Sequence, residues 1–317
     1  MVKNVKTSLI TGVSGQDGSL LAELLLSKGY KVVGLMKETS SKDNLKDVLN
    51  NPNFKLIYGD LLNNDLIKYI ISEYQFDEIY NLASQSNIRL SYDNPVHTFN
   101  VTLMGVIILL ENIRKYSPKS KVFQAGSSAM FGNSMDEDGY QRETTPMKPI
   151  SPYASSKLFA HNICCNYRDN EGMYVTNGIL YNHESSKSKT LLGVVNVIVK
   201  HAFDIKKGIK TQFEIPNLKT NIDLGYAPEY VEGIWLTLQQ DNPDDYIISS
   251  GKTYDLKYIC LYVFNKLGLD YYNYLRTNIN SEETLKLKGD PTKLKNIGWN
   301  NEKGLIYLID ELIKNYK

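Results

Sequence analysis

The chain has 317 residues, 42% of them hydrophobic, with 36 basic and 35 acidic side chains for a net charge of +1. That length exceeds one minimal domain and suits a large α/β domain with an added lobe. The even charge balance gives no support for a nucleic-acid or other polyanion partner. The mean hydropathy of −0.33, with no apolar run near 18 residues, argues against a membrane span. Residues 1–10 read as a short basic tail entering a strand, because no longer apolar stretch or small-residue cleavage site follows. Three cysteines, with Cys164 and Cys165 adjacent, form neither a disulfide framework nor a zinc site. A reducing, cytoplasmic compartment is the expectation.

Short apolar runs alternate with amphipathic ones through the first 180 residues. Strands are expected at Ser8–Thr11, Lys31–Leu35, Phe54–Tyr58, Glu78–Ala83, Val122–Ala125 and Tyr174–Leu180. Helices are expected at Ser19–Lys28, Asp65–Tyr74 and Val101–Lys115. The last carries Leu103, Val106, Leu109, Leu110 and Ile113 on one face. This alternation predicts a Rossmann-type, doubly wound parallel sheet covered on both faces.

The pattern changes after Asn182. Residues 183–221 are lysine-rich, with a helix near Val194–Lys207. A helix at Glu229–Gln240 and a strand at Tyr246–Ser249 return the chain to the sheet, and Tyr254–Lys317 is helix-rich. We therefore expect an NAD(P)-binding domain from 1–182 plus about 222–250. A smaller discontinuous substrate lobe would use about 183–221 plus 251–317. The site should lie between them, outside the carboxyl ends of the strands.

Between the first strand and first helix runs Thr11-Gly12-Val13-Ser14-Gly15-Gln16-Asp17-Gly18. Gly12 allows a tight turn, Gly15 lets backbone approach a pyrophosphate, and Gly18 lets helix pack on strand. The helix N-terminus adds N–H groups and a positive dipole end. Gln16 and Asp17 belong to this cofactor turn. The second strand ends in Lys37, with no acidic residue to grip a ribose 2′-hydroxyl; Glu38 lies just beyond. Lys37, Ser40, Ser41 and Lys42 can receive a 2′-phosphate, which favours NADP, with NAD not excluded.

Tyr153 and Lys157 are four residues apart at the start of an expected helix, so they share a face. An ammonium beside a phenol stabilises the phenolate and makes Tyr153 an acid–base suited to hydride transfer. Ser127 follows the fifth strand, where its hydroxyl can bind the same substrate oxygen. A YxxxK pair arises easily by chance among 23 tyrosines; its strength lies in the order of glycine turn, Asn81-Leu82-Ala83, Ser127 and Tyr153-Lys157.

With those motifs in place, the chain resembles an extended short-chain dehydrogenase/reductase of the GDP-mannose 4,6-dehydratase branch. The matching segments are TGVSGQDGSLLAELLLSKGY (11–30), NLASQSNIRLSYDNP (81–95), SSAMFG (127–132), ETTPMKPISPYASSK (143–157), NGILYNHES (177–185), YVEGIWLTLQ (230–239) and GDPTKLKNIGW (289–299). The resemblance implies oxidation of the C4 hydroxyl of a nucleotide-linked hexose, with GDP the expected nucleotide. In a dehydratase a carboxylate then removes the C5 proton and water leaves from C6. It also implies cofactor contacts at Asp60, Leu61, Leu82 and Ala83, beside Tyr153 and Lys157. Substrate contacts are expected at Ser84, Ser128 and Asn182, with Lys187, Lys189 and Arg276 compensating for missing arginines. A homodimer or homotetramer is implied as well. No metal is expected, because His97, His161 and His201 lack metal spacing.

Two departures matter. Where the branch reads Thr-Ser-Glu, this chain reads Ser127-Ser128-Ala129. A methyl group transfers no proton, and loss of a positioned acid–base costs about 10²–10⁴-fold. The expectation is therefore a C4 dehydrogenase, reductase or epimerase. The alternatives are a 4,6-dehydratase, either natural or inactivated by Glu→Ala, and a catalytically silent cofactor-binding subunit. The acidic run Asp136-Glu137-Asp138 is the nearest reserve of carboxylates. Second, arginines expected at Ile222 and near Asn280 are absent, and arginine is hard to replace at a diphosphate. His183 and Glu184 are expected to orient their loop, and Cys164 and Cys165 to pack within a helix.

Overall fold

The computed structural model describes residues 5–188, 193–215, 217–277 and 287–316. The first half alternates β1 (Thr7–Thr11), α1 (Gln16–Ser27), β2 (Lys31–Met36), β3 (Phe54–Tyr58), α2 (Asn64–Tyr74) and β4 (Glu78–Asn81). Then come α3 (Ile88–Asp93), α4 (Pro95–Phe99), α5 (Gly105–Tyr116), β5 (Lys121–Ala125), α6 (Pro152–Glu171) and β6 (Val175–Leu180). The second half holds β7 (Asn182–Glu184), α7 (Val194–Lys206), β8 (Phe213–Ile215), β9 (Asn221–Tyr226), α8 (Ala227–Thr237) and β10 (Asp245–Ile248). It ends with β11 (Thr253–Asp255), α9 (Leu256–Lys266), α10 (Tyr271–Tyr274), β12 (Leu275–Thr277), α11 (Thr292–Asn296) and α12 (Gly304–Tyr316).

Seven strands form one parallel sheet in the order β10-β6-β5-β4-β1-β2-β3. The strand order reverses between β1 and β4, so a crevice opens at their carboxyl ends. Helices on both faces explain why the central strands read as continuous apolar runs: Leu9, Ile10, Ile79, Tyr80, Val122 and Phe123 are buried.

Local signals fix the elements that carry the site. Asn63 caps α2 by accepting from Leu66 N at 3.1 Å. Ser151 caps α6 by accepting from Ala154 N at 3.1 Å, and Pro152 opens that helix. Gly172 ends it with φ +65°.

A continuous helical run covers Pro95–Tyr116, with a π turn at Asn100–Met104 before α5. Contrary to the sequence expectation, it is long and apolar enough by composition to cross a membrane. Half of it is buried: Val101, Val106, Leu109, Leu110 and Ile113 face the core, each stabilising it by about 1.5–3 kcal/mol. That is the inner face of a core helix packed on α2 and α6.

A second hydrophobic cluster joins α7, β8, β9, α9 and α12 through Val195, Ile198, Leu224, Ile259, Phe264 and Leu308. A three-stranded sheet, β11-β9-β7, runs beside it. Within the stretch 222–250, α8 and β10 pack with the large sheet, while Leu224 and Tyr226 of β9 belong to the second cluster. Leu294 and Trp299, from near the C-terminus, pack back on the first.

Candidate active site

A cleft of about 670 Å³ lies at the carboxyl ends of β1, β4, β5 and β6. The glycine turn forms one wall. Gly12 has φ +68°, and a Cβ there would meet Ala83 N at 2.9 Å. A Cβ on Gly18 would meet Gly12 O at 2.5 Å, so α1 could not pack as closely. Thr11 Oγ1 donates to Asn81 Oδ1 at 2.5 Å and accepts from Ala83 N at 3.2 Å, which sets β4 against the turn. No side chain caps α1, and Gly15, Gln16, Asp17 and Gly18 at its start line the cleft. These features fit the diphosphate of a dinucleotide.

Lys157 Nζ donates to Ala125 O at 2.9 Å and sits 6.0 Å from the Tyr153 ring centroid. Both residues are buried and line the cleft. Burial lowers the lysine to about 8, against the pull of Asp17. Tyr153 differs from its sequence reading. Burial raises its pKa, and the opposing contribution comes from the Ser127 hydroxyl rather than from Lys157. The ammonium donates to a backbone carbonyl, which fixes it within the same buried cleft as the phenol. Ser127 Oγ also accepts from Ala129 N at 3.2 Å.

Most of the expected site residues meet in this cleft. Gly12, Gly15, Gln16, Asp17 and Gly18 line it with Leu82, Ala83 and Ser84. So do Ser127, Ser128, Tyr153, Lys157 and Asn182, together with Ile222 at the missing-arginine position. Others lie outside its lining. Lys37 pairs with Asp60 at 2.9 Å, and both are part-exposed. The Leu61 side chain is buried in the core with Ile67 and Val106. Lys187 binds Glu23 and donates to Asn44 O at 3.1 Å, so its ammonium is already matched. Arg276 is exposed on β12. Lys189 and Asn280 fall outside the described residues.

The acidic run does not supply a carboxylate here. Asp136 and Asp138 bind Arg142 at 2.8 and 2.6 Å, and Glu137 is exposed. Among the described residues, the carboxylates lining the cleft are Asp17 and Glu184. Glu184 accepts from Val195 N, Asn196 N and Asn196 Nδ2 at 2.8–3.1 Å and so caps α7. Asp17 pairs with His183.

One cluster was not anticipated. Away from the cleft, His161, Cys165 and Asp245 bring their polar atoms within 4.8 Å of one another. Arg168 donates to Asp245 Oδ1 at 2.7 Å and to Cys165 Sγ at 3.4 Å, filling the place of a cation. The signal was the four-residue spacing of His161 and Cys165 on α6; Asp245 lies 80 residues beyond Cys165.

The parallel sheet, its glycine turn and the Ser127–Tyr153–Lys157 set define a short-chain dehydrogenase/reductase of the nucleotide-sugar-modifying class. Residues 9–312 match the family described as GDP-mannose 4,6 dehydratase. The chain belongs to that family. It is 36% identical over 329 residues to GDP-mannose 4,6 dehydratase 1 of Arabidopsis thaliana, covering 99% of this chain and 90% of that one. It is 38% identical over 276 residues to GDP-mannose 4,6-dehydratase of Vibrio cholerae, covering 84% and 73%. Its fold superposes on dTDP-glucose 4,6-dehydratase from Bacillus anthracis, solved with NAD. There the TM-score is 0.85 at 20% identity, over 98% of this chain and 96% of that one.

Proposed function

We propose that this enzyme acts on a GDP-linked hexose through a 4-keto sugar, as a 4,6-dehydratase. The observation that carries the reading is Ser127, Tyr153 and Lys157 together in the lining of one cleft. Bound NAD(P) would accept hydride from C4 and return it. Gly12, Gly15, Gln16 and Gly18 would hold its diphosphate, with Leu82 and Ala83 beside it. Tyr153 takes the proton of the C4 hydroxyl, and Ser127 donates a hydrogen bond to the same oxygen. Lys157, titrating near 8, supplies positive charge behind the phenol. Ser84, Ser128 and Asn182 also line the cleft and would contact the sugar.

The relatives' names shift the balance from the C4 dehydrogenase, reductase or epimerase expected from Ala129 toward dehydration. Ala129 keeps that second reading in play, because both carboxylates lining the cleft are engaged elsewhere. NADP remains the favoured cofactor: Ser40 lines the cleft, and Lys37 lies near the end of β2. A homodimer or homotetramer in the cytoplasm completes the proposal. Exposed Tyr92, Val96 and Phe159 on the packed helices α3, α4 and α6 support association.

Mass spectrometry tests the reading directly. GDP-mannose and a panel of other nucleotide sugars are incubated with the protein and each oxidised cofactor. Loss of one water supports the dehydratase. Loss of two hydrogens with cofactor reduction supports the C4 dehydrogenase. No mass change and no cofactor reduction with any sugar would sink the dehydratase and the dehydrogenase, and a mass-neutral shift in retention time would mark the C4 epimerase instead.

A further inference from the structure

We infer that His183 is held as a doubly protonated imidazolium that cancels the charge of Asp17, so that the N-terminus of α1 can accept an anionic diphosphate. His183 would be a positioning residue, acting through Asp17. The inference rests on the dinucleotide reading of the cleft.

Asp17 is the second residue of α1 and lines the cleft. A carboxylate there satisfies the helix dipole. It also competes with a diphosphate, whose binding needs the same positive end and the same N–H groups. An uncompensated Asp17 would repel the ligand that the glycine turn is shaped to hold.

His183 supplies the compensation from the opposite wall. Its ring stacks on Tyr230 at 4.5 Å between centroids, which fixes its plane. Nδ1 lies 2.6 Å from Tyr181 O. A carbonyl only accepts, so Nδ1 carries a proton. Nε2 lies 3.0 Å from Asp17 Oδ2, an ion-pair contact outside hydrogen-bond alignment. So close to a carboxylate oxygen, a protonated Nε2 is attracted where a bare lone pair would be repelled. A neutral ring would leave one nitrogen lone pair facing an oxygen lone pair.

The neighbours enforce this geometry. Gln16 Nε2 donates to Asp17 Oδ1 at 3.0 Å and to His183 O at 3.2 Å. Its Oε1 accepts from Ser185 Oγ at 3.1 Å. The glycine turn and the β7 segment are thereby stitched together. The other charged groups near the pair are Lys157, which faces Asp17 from α6, and Glu184, whose carboxylate is turned onto the start of α7. Asp223 lies beyond the Tyr230 ring. Burial alone would push Asp17 up and His183 down, but their mutual attraction reverses both directions.

Two measurements test this. NMR of ¹⁵N-histidine-labelled protein without cofactor reads the ring directly, with the His183→Asn spectrum giving the assignment. Both His183 nitrogens should carry the imidazolium signature at pH 8; a neutral tautomer there overturns the inference. Calorimetry then measures NAD⁺, NADP⁺ and ADP-ribose binding. His183→Asn should weaken binding about 10–100-fold, the scale of an unpaired like charge. Asp17→Asn combined with His183→Asn should recover most of it, because the repelling carboxylate is gone. A double variant that binds as weakly as the single one means His183 acts by packing and rejects the charge argument. If the wild-type protein binds none of the three ligands, the dinucleotide reading fails, while the NMR result still decides the protonation state.

Discussion

Lys157 Nζ donates to the carbonyl of Ala125 at 2.9 Å, tying α6 to the carboxyl end of β5. The bond spans 32 residues of sequence and fixes the lysine behind Tyr153. Lys157→Met should keep the stem's packing but lose both the bond and the charge. Turnover should fall about 10²–10⁴-fold. The limb of the pH–rate profile near 8, where burial places Lys157, should disappear. Steady-state kinetics from pH 6 to 10 check this; an unchanged limb would remove Lys157 from the proton chemistry.

Ala129 is the position at which the family resemblance implies a glutamate. Ala129→Glu should restore a proton carrier beside Ser128. If elimination limits the present enzyme, formation of the dehydrated 4-keto product should rise by about 10²–10⁴-fold. Consumption of the starting sugar nucleotide should change much less. Quantifying both products by mass spectrometry separates the cases. No gain in the dehydrated product would mean that another group already removes the C5 proton.

Much of this site was legible because its signals are local. The turn at Gly12–Gly18 needs short-range backbone freedom, and Tyr153 and Lys157 need one helical face. The seven sheet strands are short apolar runs between turns, and their expected bounds fall within about two residues of the observed ones. The short strands β7, β8, β9, β11 and β12 were not legible. Each has 3–6 residues and owes its existence to partners far along the chain, as Asn221 of β9 does to Asp255 of β11. The ion pairs of Lys187 and Asp60 did not show for a similar reason. Their nearest counter-charges, Glu23 and Lys37, lie on other elements, so sequence spacing does not reveal that they are paired.

The pair His161–Asp245 should make stability depend on pH. Burial opposes the charge on His161, but Asp245 at 3.3 Å outweighs it and raises the imidazole to about 9. Unfolded, it titrates near 6.5. Its contribution is therefore complete below about 6.5 and lost as pH rises through about 9. Asp245 is held well below the usual carboxylate range, so its share is present above about 4 and lost in acid. The melting temperature should fall by about 2–6 °C between pH 6.5 and 9.5. His161→Gln should flatten that slope. Scanning calorimetry of both proteins across this window checks the prediction, and parallel curves would defeat it.

Ile222 presents an apolar side chain to the cleft, at a position where the family resemblance implies arginine. It sits on β9, opposite Tyr254 of β11. A guanidinium here would reach the cleft on a flexible stem while its methylenes replace the isoleucine packing. Bidentate pairing with a diphosphate is among the stronger charge-assisted contacts. Ile222→Arg should therefore tighten binding of a GDP-linked sugar by about tenfold or more. It should change the affinity for NAD⁺ much less. Calorimetric titration with GDP, GDP-mannose and NAD⁺ reads each affinity separately. Tighter binding confined to the GDP ligands would place the substrate diphosphate beside β9. No change for any ligand would mean that the substrate of this enzyme keeps its phosphates elsewhere.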